Sequence, residues 1–381
     1  MDKLVYLIYP VMLVILLKGA KYNTGSGRWN NEFMSLRQTK YLQGFLALCI
    51  MLHHVGQETC AEWQRYKLLP GLEFFVPIGY LFVAVFFMCS GYGLFKSYMT
   101  KENYLQGFFK KRVLPMILGF YISNWVFFIA RIIMKEKMTG WKIFCNISGW
   151  GMPNLYAWFA LIMPLFYVFF YLSFRFLKTD GMRLLGVIVL VFIFTFIGTN
   201  IDHNDYWMRG EWWYNSGHLF WMGILFAMYE KKITEFIKKR YGLWCFVFVV
   251  GAYVLFKISY NVVETVSYYG QFNPTLTRFQ VVENRWICLA SQMAASTFFV
   301  AAVLIICMKL QLGNKVLGFM GGITMEFYLM HGLFLELFSY KFCDITPSIT
   351  RIENVALLVV VVTALSIPAS LLLKKLIHIF D

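Results

Sequence analysis

The chain has 381 residues, 59% of them hydrophobic and 14% charged, against roughly a quarter charged in an ordinary soluble domain, which excludes a soluble fold because so much apolar surface could not be buried. The formal net charge of +15 could suggest nucleic acid, but the basic residues form short clusters between apolar runs and no single stripe, so topology accounts for them better and no nucleic-acid partner is expected. Apolar runs of about 18 to 20 residues recur along the whole length, enough for a helix to cross a hydrocarbon core, and they lack the alternation of a β-barrel strand.

These runs predict an all-α, polytopic membrane bundle of about eleven transmembrane helices. In chain order they cover 4–17, 42–57, 71–95, 113–133, 154–177, 184–200, 215–229, 243–260, 286–308, 317–338 and 355–373. The first is the shortest; Lys18 and Lys21 follow it and no A-x-A-like site appears, so it reads as a retained anchor and not a cleaved signal. The second ends in His53 and His54, and the third runs from Glu73 to a Ser90-Gly91-Tyr92-Gly93 segment of mostly small residues that suits close helix approach or a break. Lys110, Lys111 and Arg112 precede Pro115 at the start of the fourth. Residues 1–36 read as an anchor helix with a cytoplasmic linker and 37–381 as one membrane domain, with only about eight residues after the last span.

Lys and Arg concentrate in cytoplasmic loops. Alternate loops hold Lys18, Lys21, Arg28, Arg37 and Lys40, then Lys96, Lys101, Lys110, Lys111 and Arg112, then Arg175, Lys178 and Arg183, then Lys231, Lys232, Lys238, Lys239 and Arg240, then Lys309 and Lys315, then Lys374 and Lys375. This bias predicts the N-terminus outside and the C-terminus in the cytoplasm. The loop with Arg131, Lys135, Lys137 and Lys142 runs against it.

A charge at the centre of a span costs about 2.5 to 3.5 kcal/mol, so polar residues in spans are functional candidates. They are His53, His54, Glu73, His218, Lys257, Glu326 and His331. A neutral imidazole can take the proton of a hydroxyl attacking an acyl carbonyl, and His54 is the leading candidate, with an interfacial capping role as its structural alternative. His53 points about 100° away and reads as structural. Glu326 and His331 are five positions apart and do not share a helical face; Glu326 reads either as a catalytic group or as the partner of a polar group on another span. Lys257 suits snorkelling, and His218 and the aromatic Trp207, Trp212 and Trp213 suit the membrane interface. Lys110, Lys111 and Arg112 suit an anionic phosphate as well as they suit topogenic charge. The eight cysteines have no C-x-x-C pair and no metal-site spacing, read as small apolar fillers, and no metal is expected.

The segments TKYLQGFLALCIMLHHVG, GYLFVAVFFMCSGYGLFKSY, FFKKRVLPMIL, AWFALI, WYNSGHLFWMGILFA and MEFYLMHGLFL, in this order, resemble the acyltransferase 3 family of membrane acyltransferases over nearly the whole chain from about residue 38. The resemblance implies a ten-helix core, here with an extra N-terminal helix, in a multi-pass bacterial cytoplasmic membrane protein. It implies O-acyl transfer, with acyl-CoA, usually acetyl-CoA, as donor and a hydroxyl of a cell-surface glycan or lipid-linked sugar as acceptor, beside membrane lipid. The family's Arg-then-His pattern places its His at His54 and its Arg at Gln43, a departure; Lys40 could replace the Arg only by reaching. Its Arg-x-x-Arg element is half present, at Arg112 with Pro115 in the second position, and Ser90, Gly91 and Tyr92 match its Ser-Gly-aromatic element. The expected site is therefore His54 as base or nucleophile, with Glu326 as a second catalytic group, and Lys110, Lys111, Arg112, Ser90, Gly91 and Tyr92 binding acyl-CoA, whose arm would thread a polar cleft between the second, third and tenth spans. The C-terminal hydrolase-like domain of some members is not expected. A transporter or flippase is the alternative function, though no inverted repeat or paired broken helix is evident; a sensor or scaffold would leave His54, Ser90 and Arg112 unrelated in space.

Overall fold

The computed structural model describes residues 2–25, 27–61, 69–203, 208–268, 273–339 and 351–379. Its helices are α1 (Ile8–Leu17), α2 (Leu36–Thr59), α3 (Gly79–Thr100), α4 (Leu114–Ile133), α5 (Gly140–Ser148), α6 (Trp158–Phe176), α7 (Asp180–Asn200), α8 (His218–Lys239), α9 (Tyr241–Val266), α10 (Arg278–Cys307), α11 (Lys315–Gly322), α12 (Thr324–Phe338) and α13 (Val355–His378). Two-residue strands β1 (Lys21–Tyr22) and β2 (Leu310–Gln311) pair antiparallel. Inside a bilayer every backbone amide must find a partner within the protein, which is why apolar runs become helices. Side chains supply the caps: Ser35 accepts from Gln38 N at the start of α2, and Thr277 and Gln280 form a reciprocal capping box at the start of α10. The fold is the all-α membrane bundle that composition predicts.

Among the described residues, seven helices are long and apolar enough to cross a membrane: Gly79–Thr100, Phe109–Ile133, Leu155–Phe176, Asp180–Asn200, Tyr241–Val266, Arg278–Cys307 and Val355–His378. The other four predicted spans take other forms. The first is a shorter apolar helix, Lys3–Leu17. The second becomes α2, which opens on the polar LRQTKYLQG, and the seventh becomes α8, which runs on into the charged Glu230–Lys239 after a non-helical Tyr229 (φ −115°, ψ 16°). The tenth is broken at Ile323 (φ −127°, ψ 20°) into α11 and α12, after Gly321 and Gly322. Lys374 Nζ donates to the Gly322 carbonyl at 2.7 Å and so satisfies a backbone group that the break frees. The tenth span is thus two half-helices where one continuous span is predicted.

Helix α5, unforeseen in the 134–153 loop, is strongly amphipathic, with Trp141, Phe144 and Ile147 exposed on one side. Lys142 on this helix pairs with Glu136 at 2.9 Å.

Small residues set the closest helix contacts. A Cβ on Gly91 would strike the Phe220 carbonyl and one on Gly223 the Met88 carbonyl, so α3 and α8 touch backbone to backbone. Gly44 and Gly321 do the same for α2 and α11, against the carbonyls of Leu317 and Lys40. Helix α3 runs antiparallel to α2, because Gly79 faces the His53 ring at one end while Phe33 and Tyr92 both meet Phe226 near the other. Lys96 reaches Glu230 on α8, Arg183 lies over the Tyr98 ring, Lys238 donates to Asn31, and Lys309 donates to the Gly25 and Arg28 carbonyls. These contacts gather several of the basic loops at one end of the bundle, opposite the His53–Gly79 contact.

Candidate active site

Two buried histidines from distant helices meet near the other end. His54 Nδ1 and His331 Nε2 are 2.7 Å apart, with the two rings nearly parallel at 4°. His331 Nδ1 lies 3.0 Å from the Phe327 carbonyl one turn earlier on α12. A carbonyl only accepts, so His331 carries its proton on Nδ1 and its Nε2 is an acceptor. His54 must then donate from Nδ1, which leaves the lone pair of His54 Nε2 for chemistry. One backbone carbonyl thus sets the tautomers of both rings.

Tyr156 covers this pair, its ring centroid 4.7 Å from that of His54 and 5.6 Å from that of His331. Gly332 makes room for it, since a Cβ there would run into the Tyr156 ring. Asn154, fully buried, holds the turn: its amide donates to the Leu329 carbonyl at 2.8 Å and its Oδ1 accepts from Tyr156 N. The Tyr156 hydroxyl donates to Glu58, one turn beyond His54 on α2, at 3.3 Å. Next to this group, buried Glu336 on α12 pairs with Arg131 on α4 at 2.8 Å, and Arg131 also binds Glu136 at 2.8 Å and the Pro153 carbonyl at 3.0 Å. Glu136 lies beyond the end of α4; burial pushes its carboxyl up, but Arg131 and Lys142 outweigh that and hold it below its ordinary range.

The expected site residues divide. His54 is in the buried site, whereas His53 turns away to bond the Phe75 carbonyl at 2.9 Å. Glu326 lies in the first turn of α12, and the cations that act on it are Lys374 and His378 on α13. The structure does not bring it to His54. Ser90 is a hydrogen-bonding neighbour of Tyr167 on α6, whose electrostatic surroundings also include Arg112. Tyr92 faces α8 instead, donating to Glu230 at 3.0 Å, and Gly91 is buried in the α3–α8 contact, where it presents no surface to a ligand. Lys110 and Lys111 are exposed on a π-helical turn, Phe109–Val113. Lys40, fourteen residues before His54 on the same helix, is about 21 Å away along its axis and cannot replace a cation at the site.

Other candidates prove structural. His218 is buried, with Nε2 3.0 Å from Thr297 Oγ1, and Trp213 is buried too, so neither is an interfacial anchor. Lys257 is exposed on α9. Trp207 and Cys343 lie outside the described residues; the other seven cysteines are free, and all but Cys245 are buried. Among the described residues no group of three or more His, Cys, Asp or Glu could hold a metal ion. Sequence reading passed over Arg131 and Glu336, although both fall inside predicted spans and a charge there is its own signal. Tyr156 and Glu58 carried no comparable mark.

Fold and site together define a polytopic helical membrane protein with a buried histidine pair whose tautomers are set by the Phe327 carbonyl. The chain belongs to the acyltransferase-domain family, whose model matches residues 38–375, and is thereby a membrane acyltransferase. No curated protein and no solved structure matches it.

Proposed function

We propose that the protein moves an acyl group, in the first instance acetyl, from acyl-CoA to a hydroxyl of a cell-surface glycan or lipid-linked sugar. The observation that carries this reading is the 2.7 Å bond between His54 Nδ1 and His331 Nε2, which presents His54 Nε2 unprotonated. As the acceptor oxygen forms its bond to the thioester carbon, Nε2 takes the hydroxyl proton, and the imidazolium is stabilised by its bond to His331. The carbon–sulfur bond then breaks and the proton passes to the departing thiolate. Glu58 and Tyr156, beside His54, would orient the acceptor hydroxyl. Ser90 and Arg112, both in the surroundings of Tyr167, would face the donor.

The donor approaches from the cytoplasm in this reading, with the end that gathers the basic loops facing inward, the N-terminus outside and the C-terminus inside. Gly79 is level with His53, and Ser90 lies eleven residues along α3, about 16 Å nearer the basic end. The thioester arm would cover that distance. The break between α11 and α12 favours a second reading, a transporter or flippase, but Lys374 closes the freed Gly322 carbonyl, and the break needs no substrate to satisfy it.

Purified protein given acetyl-CoA labelled in the acetyl group, together with a cell-envelope extract, tests the proposal. Release of free thiol and transfer of label, both lost in His54→Ala, is the expected result. Thiol release at the wild-type rate in His54→Ala would remove His54 from the mechanism, and no release in the wild type would favour transport.

A further inference from the structure

A cleft of about 340 Å³ opens at the basic end between α3, the kinked tail of α8 and the segment ahead of α2; Asn30, Asn31, Lys96, Glu230, Lys231 and Lys238 line its polar side. Its one carboxylate is engaged twice, since Glu230 Oε2 accepts from Lys96 Nζ at 2.6 Å and from Tyr92 at 3.0 Å. Lys238 Nζ donates to Asn31 at 3.3 Å, and among the described residues no carboxylate pairs with Lys231 or Lys238. Asn30 is held in place, its amide donating to the Cys307 and Leu310 carbonyls. Topogenic lysines need only lie in loops on one side; these converge on one concave surface from separate segments. Three ammonium groups around one engaged carboxylate leave excess positive potential in a partly enclosed space, the setting in which phosphate oxygens make charge-assisted bonds.

Depth narrows the ligand class. Lys96 is seventeen residues along α3 from Gly79, so the cleft lies about 26 Å in depth from the His54 level. A compact acyl phosphate seated there could not present its carbonyl to His54, whereas a long arm with phosphate at one end and a thioester at the other could. We propose that this cleft takes the phosphorylated nucleotide end of the acyl-CoA donor, with Lys96, Lys231 and Lys238 as its phosphate contacts. The inference rests on the acyl-CoA reading and moves the phosphates away from Lys110, Lys111 and Arg112. Lys110 and Lys111 are exposed, and the Arg112 guanidinium lies over the Tyr104 ring at 5.8 Å.

Binding of adenosine 3′,5′-bisphosphate to the full-length protein in neutral-lipid nanodiscs, measured by calorimetry, provides the test. A Lys231→Gln/Lys238→Gln variant is expected to weaken it tenfold or more, and to raise the KM for acetyl-CoA while leaving kcat near wild type. A Lys110→Gln/Lys111→Gln/Arg112→Gln variant is the contrast. If that variant loses the bisphosphate and the cleft variant keeps it, the cleft assignment is overturned. It also falls if the wild type binds no bisphosphate, or if phosphatidylglycerol in the nanodiscs raises the melting temperature of the wild type but not of the cleft variant, which would mark a lipid headgroup site. In each of these cases His54-dependent thiol release from acetyl-CoA would show that the donor reading itself survives; its absence would show that the donor reading has failed as well.

Discussion

Replacing His331 by phenylalanine keeps a flat ring in the α2–α12 contact but removes the acceptor that fixes His54. The His54 Nδ1 proton then has no partner at 2.7 Å, and the imidazolium formed as the acceptor hydroxyl is deprotonated loses a charge-assisted bond. Such bonds contribute about 1.5 to 3 kcal/mol, equivalent to a fall in kcat of about 10- to 150-fold. Thiol release from acetyl-CoA under saturating donor reads this directly, and a melting curve of each variant separates chemistry from unfolding. His54→Ala should fall further, by about 10²- to 10⁴-fold as general bases do. Because His331 acts only through His54, the double variant His54→Ala/His331→Phe should be no slower than His54→Ala alone. If the two losses multiply, or if His331→Phe keeps the wild-type rate with an unchanged melting temperature, the tautomer argument is wrong.

Gly332→Ala would push a methyl into the Tyr156 ring; overpacking of this kind costs about 1 to 3 kcal/mol, and an unchanged melting temperature in this variant would contradict the contact. Arg131→Met leaves Glu336 buried without its 2.8 Å partner, a loss of about 3 to 5 kcal/mol, while Arg131→Met/Glu336→Met should recover much of it in a detergent melt. His203, in the loop after α7, is held down to about 4 by burial and by the nearby Arg285. The fold therefore keeps it neutral while the unfolded chain protonates near pH 6.5, so its share of stability is complete above that pH and is lost as pH falls toward 4. A His203→Asn variant should show a flatter melting profile than the wild type between those limits, and parallel profiles would contradict the assignment.

Where apolar runs were bounded by charge, as in α4, α7 and α13, the spans could be read from the chain to within about five residues, because burial in lipid leaves one backbone solution. The break at Ile323 was not legible: GFMGGITMEFY carries no proline and one charge, Glu326, and the Lys374 that satisfies the freed Gly322 carbonyl comes from α13, 52 residues on. Helix α5 was missed because nine residues are too few to register as a span, although its Trp141, Phe144 and Ile147 carry the amphipathic spacing. His54 stood out as an imidazole in a span, but its partner lies 277 residues away, and no local pattern encodes a contact across that separation. Glu326 misled because a carboxylate at a helix start attracts notice, whereas Glu336, ten residues on, is the one that the core encloses.

The bond from Lys374 to the Gly322 carbonyl has a bearing on how the protein is made. Synthesis runs from the N-terminus, so α2 and His54 are in the membrane long before α12 exists, and α11 and α12 are inserted before the lysine that closes the gap between them. Until α13 docks, the Gly322 carbonyl lacks its Lys374 partner, and a continuous helix through Ile323 would satisfy the backbone at least as well. A continuous helix would carry His331 round and away from His54. If the break depends on Lys374, a nascent chain stalled before α13 should hold His54 and His331 and still lack the dyad.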